Sequence, residues 1–569
     1  MGAFVFRKSG KISAITDGGE GTIYDLGNGS DVIKVYKPVV NIAAKERKVD
    51  LLLRKSLPAE VIGPTEKVVD NKGHFIGFVM NKIDGVDFKN LYTKKFIKSN
   101  NITLKDILKM LIDIKDIMER LHAENIFIGD LNDQNILFDS RLNVYFIDID
   151  SYTVDSEYCT VAMDLFKDPK LVGNNFNAET DIYSYCVLAW KSITRIHPFG
   201  GTMNPDMNIL DRINKGISVI DRPSIIIPRT IGSWKNLSPN LLKLFKDVFE
   251  NGKRTIGDEF EDMYGNLSFC KSDGIYYFSK YNACPLCDSN AKVITKPVSQ
   301  GLVSGLTLVT ILNYDKVKSV LNSTTYIDND DFVIDMKSGK RVKFDTGAKY
   351  YFTKSGAVVK STSDRFIITK DNEEYKFDKK FKSDIVVSDN DIYYISRNCT
   401  LYKVTVLDNG NGVTNLATCS INSYFEVYKD KYCIVNVEDK NLIINSNGYH
   451  CQISYSGSVV NYGIHYDEIY NSWLIILEDR SGKFNTFIVS GTNCLYKTDR
   501  IPYDCLLNNL CIYNGTIYIP IDGKIRGYSY KKDIFKDFEC SIVGPDSKLI
   551  KSGSKFTIVN DDNIYTLGK

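Results

Sequence analysis

The sequence predicts a multidomain protein: an α+β region, a short cysteine-bearing link and an all-β tail. Three observations carry this. Residues up to about 265 mix strand-like runs with amphipathic helices. Cys284 and Cys287 stand at Cys-x-x-Cys spacing just beyond the last of these helices, with Cys270 upstream. Past about residue 295 helical spacing vanishes, and short β-rich runs recur between Asn, Asp, Gly and Ser turns. At 569 residues the chain is too long for one core, so roughly two to four domains are expected.

Bulk composition excludes more than it assigns. Apolar content of 43% and charged content of 25% are ordinary for a globular protein. A net charge of +2 gives no bias towards nucleic acid, and no apolar run reaches the length of a membrane span, so neither is an expected partner. Met1-Gly-Ala-Phe-Val-Phe-Arg7 lacks the features of a signal peptide, and a cytoplasmic protein is expected. The 13 cysteines are spread thinly, which suits reduced thiols. Abundant Lys, Asn, Ile and Tyr beside 14 Pro point to an AT-rich coding sequence, bacterial or phage.

Taken in order, residues 11 to 36 read as strand, glycine turn, strand. Gly18, Gly19 and Gly21 carry no Cβ, so their amides can approach a phosphate, although such a turn by itself is ordinary hairpin chemistry. Val32-Ile-Lys34 then sets a lysine on a strand, and the helix-forming run Ile42 to Leu53 offers Glu46 as its partner. Lys37 would share the face of Lys34 only through a bulge. Gly73 to Gly85 reads as a turn, a buried strand and an exit, with Met80 and Lys82 near its end.

Leu104 to His122 spaces Ile107, Leu108, Leu111, Ile114, Ile117, Met118 and Leu121 as one helical face. It leads into Ile128-Gly-Asp-Leu-Asn-Asp-Gln-Asn135, then an apolar run at 136–138, a turn at 139–143 and a second run that delivers Asp148. A hairpin of this form brings Asp130, Asn135 and Asp148 to one point. That cluster suits phosphoryl transfer, where one carboxylate orients a hydroxyl and an amide and a carboxylate hold Mg²⁺; a polar hairpin with capping side chains is the plainer reading. Glu179 to Trp190 is an apolar helix with an acidic start, in which Asp181 is either a brace or a simple N-terminal cap. His197-Pro-Phe-Gly-Gly201 breaks that helix, and Asn240 to Phe249 closes the region.

Lys34, Glu46, Asp130, Asn135, Asp148 and Asp181 stand in the order of a protein-kinase domain, and residues 12 to 265 resemble a eukaryotic-like protein kinase of the type found in bacteria. The forms Gly-Asp-Leu-Asn-x-x-Asn and Asp-x-Asp-Ser are similar to a subgroup often encoded beside a metal-dependent protein phosphatase and a von Willebrand A protein. The resemblance implies a bilobal kinase fold with an N-lobe at 1–82 and a C-lobe at 83–265, with ATP and Mg²⁺ as cofactors. It implies that Gly18, Gly19 and Gly21 cover the phosphates, that Lys34 holds them while paired to Glu46, and that Met80 and Lys82 line the adenine side. Asp130 would orient the substrate hydroxyl, Asn135 and Asp148 would bind Mg²⁺, and Asp181 would brace the catalytic-loop backbone.

Departures from the family pattern qualify this. Ile128-Gly129 replaces His-Arg, so switching through a phosphorylated loop and that arginine is not expected. Asn132 replaces a lysine, and Asp150 replaces the flexible glycine. Lys170 reverses a charge, so the usual buried ion pair to Arg254 is expected to be missing. Tyr152, Thr153, Ser156, Tyr158 and Thr160 are the candidate phosphosites of residues 151–170. A serine/threonine protein kinase acting on protein hydroxyls therefore stands against a pseudokinase scaffold, and against transfer of phosphate or AMP to a small molecule.

Cys270, Cys284 and Cys287 in the link 266–294 could hold a structural Zn²⁺, with Asp273 or another side chain as fourth ligand; buried or free thiols are the alternative. In the tail, 295–569, the interval from Tyr432 to Trp473 to Tyr518 to Phe556 stays near about 40 residues, the length of a four-stranded propeller blade. Six or seven blades are expected, with a β-sandwich pair or solenoid as the alternative. By fold analogy the propeller would recruit or sense a protein partner.

Overall fold

The computed structural model describes residues 4–6, 13–17 and 20–290, apart from 39, 161, 204–206, 208 and 228–232. It further describes 307–310 and 317–568, apart from 346, 381–382, 439, 456, 458, 480–482, 500–505, 522–523, 541, 545, 554 and 561–562. Its contacts group into two units, residues 1–7 with 29–299, and residues 8–28 with 300–569.

The chain starts with β1 (Phe4–Val5), followed by an antiparallel hairpin of β2 (Ser13–Asp17) and β3 (Gly21–Asp25) that belongs to the second unit. In the first unit β4 (Asp31–Tyr36) pairs with β6 (Phe75–Asn81), β6 with β5 (Glu66–Val69), and β5 in parallel with β1. Between β4 and β5 runs α1 (Ile42–Leu52), started by Asn41, whose Oδ1 accepts the Ala44 N–H at 3.2 Å. Val49 of α1 packs with Tyr36, Phe75 and Phe78, and Met80 lies against the same cluster.

Helices dominate the rest of the unit. After β7 (Val86–Asp87) come α2 (Lys94–Ser99) and α3 (Leu104–Ala123), which Thr103 starts through a reciprocal cap with Asp106. All seven residues of the predicted α3 face are buried. Beyond α3 lie β8 (Ile126–Phe127) and the hairpin of β9 (Ile136–Phe138) and β10 (Val144–Phe146), with Phe146 opposite Ile136. β11 (Thr153–Val154) returns to pair with β8. Then follow α4 (Ala178–Thr194), β12 (Thr202–Met203), α5 (Ile209–Lys215), β13 (Ile225–Ile226), α6 (Pro239–Phe249) and α7 (Glu259–Gly265). α4 is buried along almost its whole length because α3 and α6 cover it; Trp190 sits with ring centroids 5.4 Å from Trp234 and 5.3 Å from Phe245. The unit ends in the hairpin β14 (Leu267–Cys270) and β15 (Ile275–Phe278) and the short α8 (Pro285–Asn290).

The second unit is all-β beyond residue 307. Among its described residues seven four-stranded sheets follow one another, at 317–343, 349–378, 386–418, 423–454, 459–498, 511–539 and 548–568. Each of the first six is an antiparallel meander of four successive strands. The last takes its fourth strand from the other end of the tail: residues 307–310 pair antiparallel with 565–568, Thr307 opposite Gly568. The opening strands of the sheets from 386 onward lie beside one another in succession. Asp467, fully buried, ties two consecutive sheets by accepting the Asn514 N–H at 3.0 Å and the Gly515 N–H at 2.7 Å. No helix among the described residues is long and apolar enough to cross a membrane.

Candidate active site

The β9–β10 hairpin assembles the site. Its turn is shaped by Asp139, whose carboxylate accepts the N–H groups of Arg141 at 2.8 Å and Asn143 at 3.0 Å. At the opposite end the Ile147 N–H donates to the Asn135 carbonyl at 3.0 Å, which sets Asp148 one residue beyond Asn135's neighbour. Asp148 has φ +65°, uncommon for a residue with a Cβ, and its carbonyl is held by the N–H and hydroxyl of Ser151 at 2.9 and 2.7 Å. Such local backbone departures concentrate at functional sites.

Asp130 is nearly buried and its carboxylate is oriented from several sides. Oδ1 accepts from Asn132 Nδ2 at 2.8 Å and from the Met163 N–H at 2.9 Å, and Oδ2 accepts from Asn135 Nδ2 at 3.2 Å. Asn132, 2% exposed, also accepts the Gln134 N–H at 2.9 Å and the Asn135 N–H at 3.2 Å. It therefore shapes the loop from inside, a role that its place in the family pattern did not suggest. Asp181 accepts the N–H groups of Ile128 at 2.7 Å and Gly129 at 2.8 Å, and His122 Nε2 lies 2.9 Å away. α4 can lend this carboxylate because Asn177 caps the helix, accepting the N–H groups of Glu179 and Thr180.

Lys34 and its partner differ from the expectation. Lys34 Nζ lies 2.5 Å from Asp148 Oδ1 and 2.6 Å from Asp150 Oδ1. Burial by itself would lower its pKa, but the two carboxylates outweigh that and hold it above the ordinary lysine value. Glu46 does not reach Lys34; it accepts from Lys67 at 2.9 Å, together with Asp50, on the outer side of α1. The helix residue near the site is instead Lys45, whose Nζ is 3.3 Å from Asp150 Oδ2 and 3.0 Å from the Asp150 carbonyl. Asp150 also accepts from Tyr36 Oη at 2.9 Å, and although burial would raise its pKa, Lys34 and Lys45 hold it well below the usual carboxylate range. Aspartate at 150, where the family pattern has glycine, is the sequence signal for this contact.

Arg254 also differs from the expectation. The ion pair expected to be missing is present with a different acid: Arg254 Nε and Nη2 donate to Asp168 Oδ2 and Oδ1 at 2.6 and 2.7 Å, both side chains being buried. Asp168 stands two residues before Lys170, whose Nζ turns to the Gly252 carbonyl at 2.7 Å. Of the candidate phosphosites, Tyr152 and Thr153 are buried, whereas Ser156, Tyr158 and Thr160 are exposed. Met80 packs in the apolar cluster under α1, and the Lys82 N–H donates to the Ser30 carbonyl at 2.7 Å. Gly21 is buried at the start of β3, while Gly18 and Gly19 lie outside the described residues. Asn135 and Asp148 offer an amide oxygen and a carboxylate from adjoining backbone, the hard oxygen donors that Mg²⁺ takes.

A separate cluster forms where the β14–β15 turn meets α8. The thiols of Cys270, Cys284 and Cys287 lie 3.4, 3.2 and 2.7 Å from Asp273 Oδ2, with Cys270 Sγ 3.5 Å from Cys287 Sγ. One ligand atom from each of the four residues falls within 4.8 Å of all the others.

Residues 17–255 match the protein kinase domain family. A probable serine/threonine-protein kinase of Dictyostelium discoideum is 27% identical over 129 residues, 21% of this chain and 9% of that protein. The EKC/KEOPS complex subunit BUD32 of Enterocytozoon bieneusi is 26% identical over 186 residues, 30% of this chain and 87% of that subunit. The chain thus spans about a tenth of the first relative and most of the second. Residues 17–255 are a protein kinase domain.

Proposed function

We propose, from the protein kinase domain in residues 17–255, that this chain is an ATP- and Mg²⁺-dependent kinase that phosphorylates serine or threonine hydroxyls of proteins. The observation that carries the reading is the convergence of Asp130, Asn135, Asp148 and Lys34 at the β9–β10 hairpin, with Asp181 bonded to the loop backbone. In this reading Asp130 orients the substrate hydroxyl and takes its proton as the hydroxyl oxygen bonds to the γ-phosphorus and the bond to the ADP oxygen breaks. Lys34 holds the phosphates, and Asn135 and Asp148 hold Mg²⁺, which when bound neutralises charge on the phosphoryl oxygens. The test is a mass-resolved ATP assay on wild type, Asp130→Ala and Asp148→Ala. Each substitution is expected to lower transfer by about 10²–10⁴-fold. Undiminished transfer in both variants would remove the assignment.

A second reading is a pseudokinase scaffold. It is favoured by Gly129, Asn132 and Asp150, where the family pattern has arginine, lysine and glycine. Thermal stabilisation by MgATP with no product in the same assay would select it.

For the tail the reading is a seven-bladed propeller that recruits a protein partner, a metal-dependent protein phosphatase being one candidate. Seven consecutive four-stranded sheets, successive neighbouring first strands and the pairing of 307–310 with 565–568 support it. For the link it is a structural Zn²⁺ held by Cys270, Cys284 and Cys287 with Asp273 as the fourth ligand, since three thiolates and one carboxylate at such distances suit tetrahedral zinc. Elemental analysis of the purified chain should give about one zinc per molecule, falling after Cys284→Ser. A chain that neither holds nor takes up zinc would leave four ordinary side chains.

A further inference from the structure

In the region around Lys34 the charges are arranged with the opposite polarity to that expected of the site. α1 was expected to send an acid inward to meet a strand lysine. Glu46 faces outward to Lys67, and its side chain is 43% exposed. The side chains that α1 sends towards the segment after Asp148 are basic. Lys45 reaches Asp150, Lys48 donates to the carbonyls of Tyr152 at 2.5 Å and Tyr158 at 3.2 Å, and Arg47 donates to Glu157 at 2.6 Å.

Lys34 and Lys45 would therefore sit as two largely buried cations near one another, an arrangement that needs an anion between them. Asp150 is that anion. Its side chain is fully buried, one oxygen accepts from Lys34 and the other from Tyr36 Oη and Lys45, so the carboxylate is saturated by donors from β4 and α1 together. The Tyr36 ring lies 5.7 Å from Lys34 Nζ and 5.6 Å from Lys45 Nζ, adding a face that favours both cations. Asp150 stands two residues past Asp148, on the 3₁₀ turn Ile149–Ser151. One short stretch of backbone thus carries both carboxylates that Lys34 touches.

We propose that Asp150, rather than a glutamate of α1, is the positioning residue for Lys34, and that through Lys45 it couples the place of α1 to the loop that presents Asp148. Its catalytic consequence rests on the kinase reading above; its geometry does not. When Asp148 is engaged elsewhere, Asp150 keeps Lys34 aimed at the site. Helix position and loop conformation are then linked by internal charge, with no modified residue required.

The experiment uses the full chain and reads the backbone of α1 together with the KM for ATP. Hydrogen–deuterium exchange with peptide mass spectrometry follows residues 42–52. Asp150→Asn removes the charge that Lys34 and Lys45 share and is expected to speed exchange across α1 by about tenfold or more. Glu46→Gln is expected to leave it within about twofold of wild type, because Glu46 does not touch Lys34. In the ATP assay Asp150→Asn should raise KM for ATP and lower kcat/KM, with Glu46→Gln near wild type. If Asp150→Asn fails to fold by its melting curve, Lys45→Met cuts the link between α1 and Asp150 and should speed exchange across α1 by a smaller factor. Equal exchange in wild type and the Asp150 or Lys45 variant, or an equal rise in Glu46→Gln, overturns the proposal. Wild type without transfer overturns the kinase reading alone, since the exchange still judges Asp150.

Discussion

Gly129 shows at the scale of one residue why the loop departs from the family pattern. Its φ is +69°, and a Cβ built there would lie 2.8 Å from Cys159 Sγ and 3.1 Å from Phe176 Cγ. An arginine at this position would meet both backbone strain and occupied space. Asp168 shows the converse, a familiar interaction kept with another acid. Its buried bidentate bond to Arg254 makes removal of one partner costly, because the other charge is left in the interior. Asp168→Ala is expected to destabilise the first unit by about 3–5 kcal/mol, read as a fall in its denaturant midpoint. Lys170→Ala, whose Nζ meets a carbonyl at the surface, should cost less than about 1 kcal/mol.

At the scale of elements, helix ends decide which polar groups are available. Asn177 caps α4, so Asp181 is left to hold the loop before Asp130. Beyond the far end of α4, His197 Nε2–H donates to the Leu165 carbonyl at 2.8 Å and Nδ1 accepts the Phe199 N–H at 3.2 Å, a pattern that requires the neutral ring. Burial lowers its pKa to about 3, with Lys191 and Arg212 acting in the same direction. Between that value and the ordinary 6.5 the unfolded chain binds a proton that the folded one does not, so this contribution is full above pH 6.5 and is lost as pH falls. The slope approaches about 1.4 kcal/mol per pH unit. A melting-temperature series from pH 7 to pH 4.5 should fall less steeply for His197→Gln than for wild type; parallel curves would mean that His197 does not carry this dependence.

For the whole molecule, one strand pair joins the two ends of the tail. Strand Ile564–Gly568 pairs with its neighbour Lys555–Val559 on one side and with Thr307–Thr310, some 250 residues earlier, on the other. Ending the chain at residue 562 would strip both partners and leave two bare strand edges. The truncated protein is expected to lose its tail to limited proteolysis faster than wild type, while residues 29–290 remain resistant. Equal resistance of both tails would show that the pair contributes little to the stability of the tail.

The sequence by itself determined the α+β order of the first unit, the buried face of α3, the hairpin that joins Asp130, Asn135 and Asp148, and the β-rich character of the tail. Those features follow from periodicity and turn chemistry, which are local. Tertiary structure alone decided that Lys34 meets Asp150 rather than Glu46, that Arg254 finds Asp168, and that Asn177 rather than Asp181 caps α4. Each is a choice among partners far apart in the chain or equally placed along it. Such choices turn on which acid is buried beside which base, and burial is a property of the packed molecule.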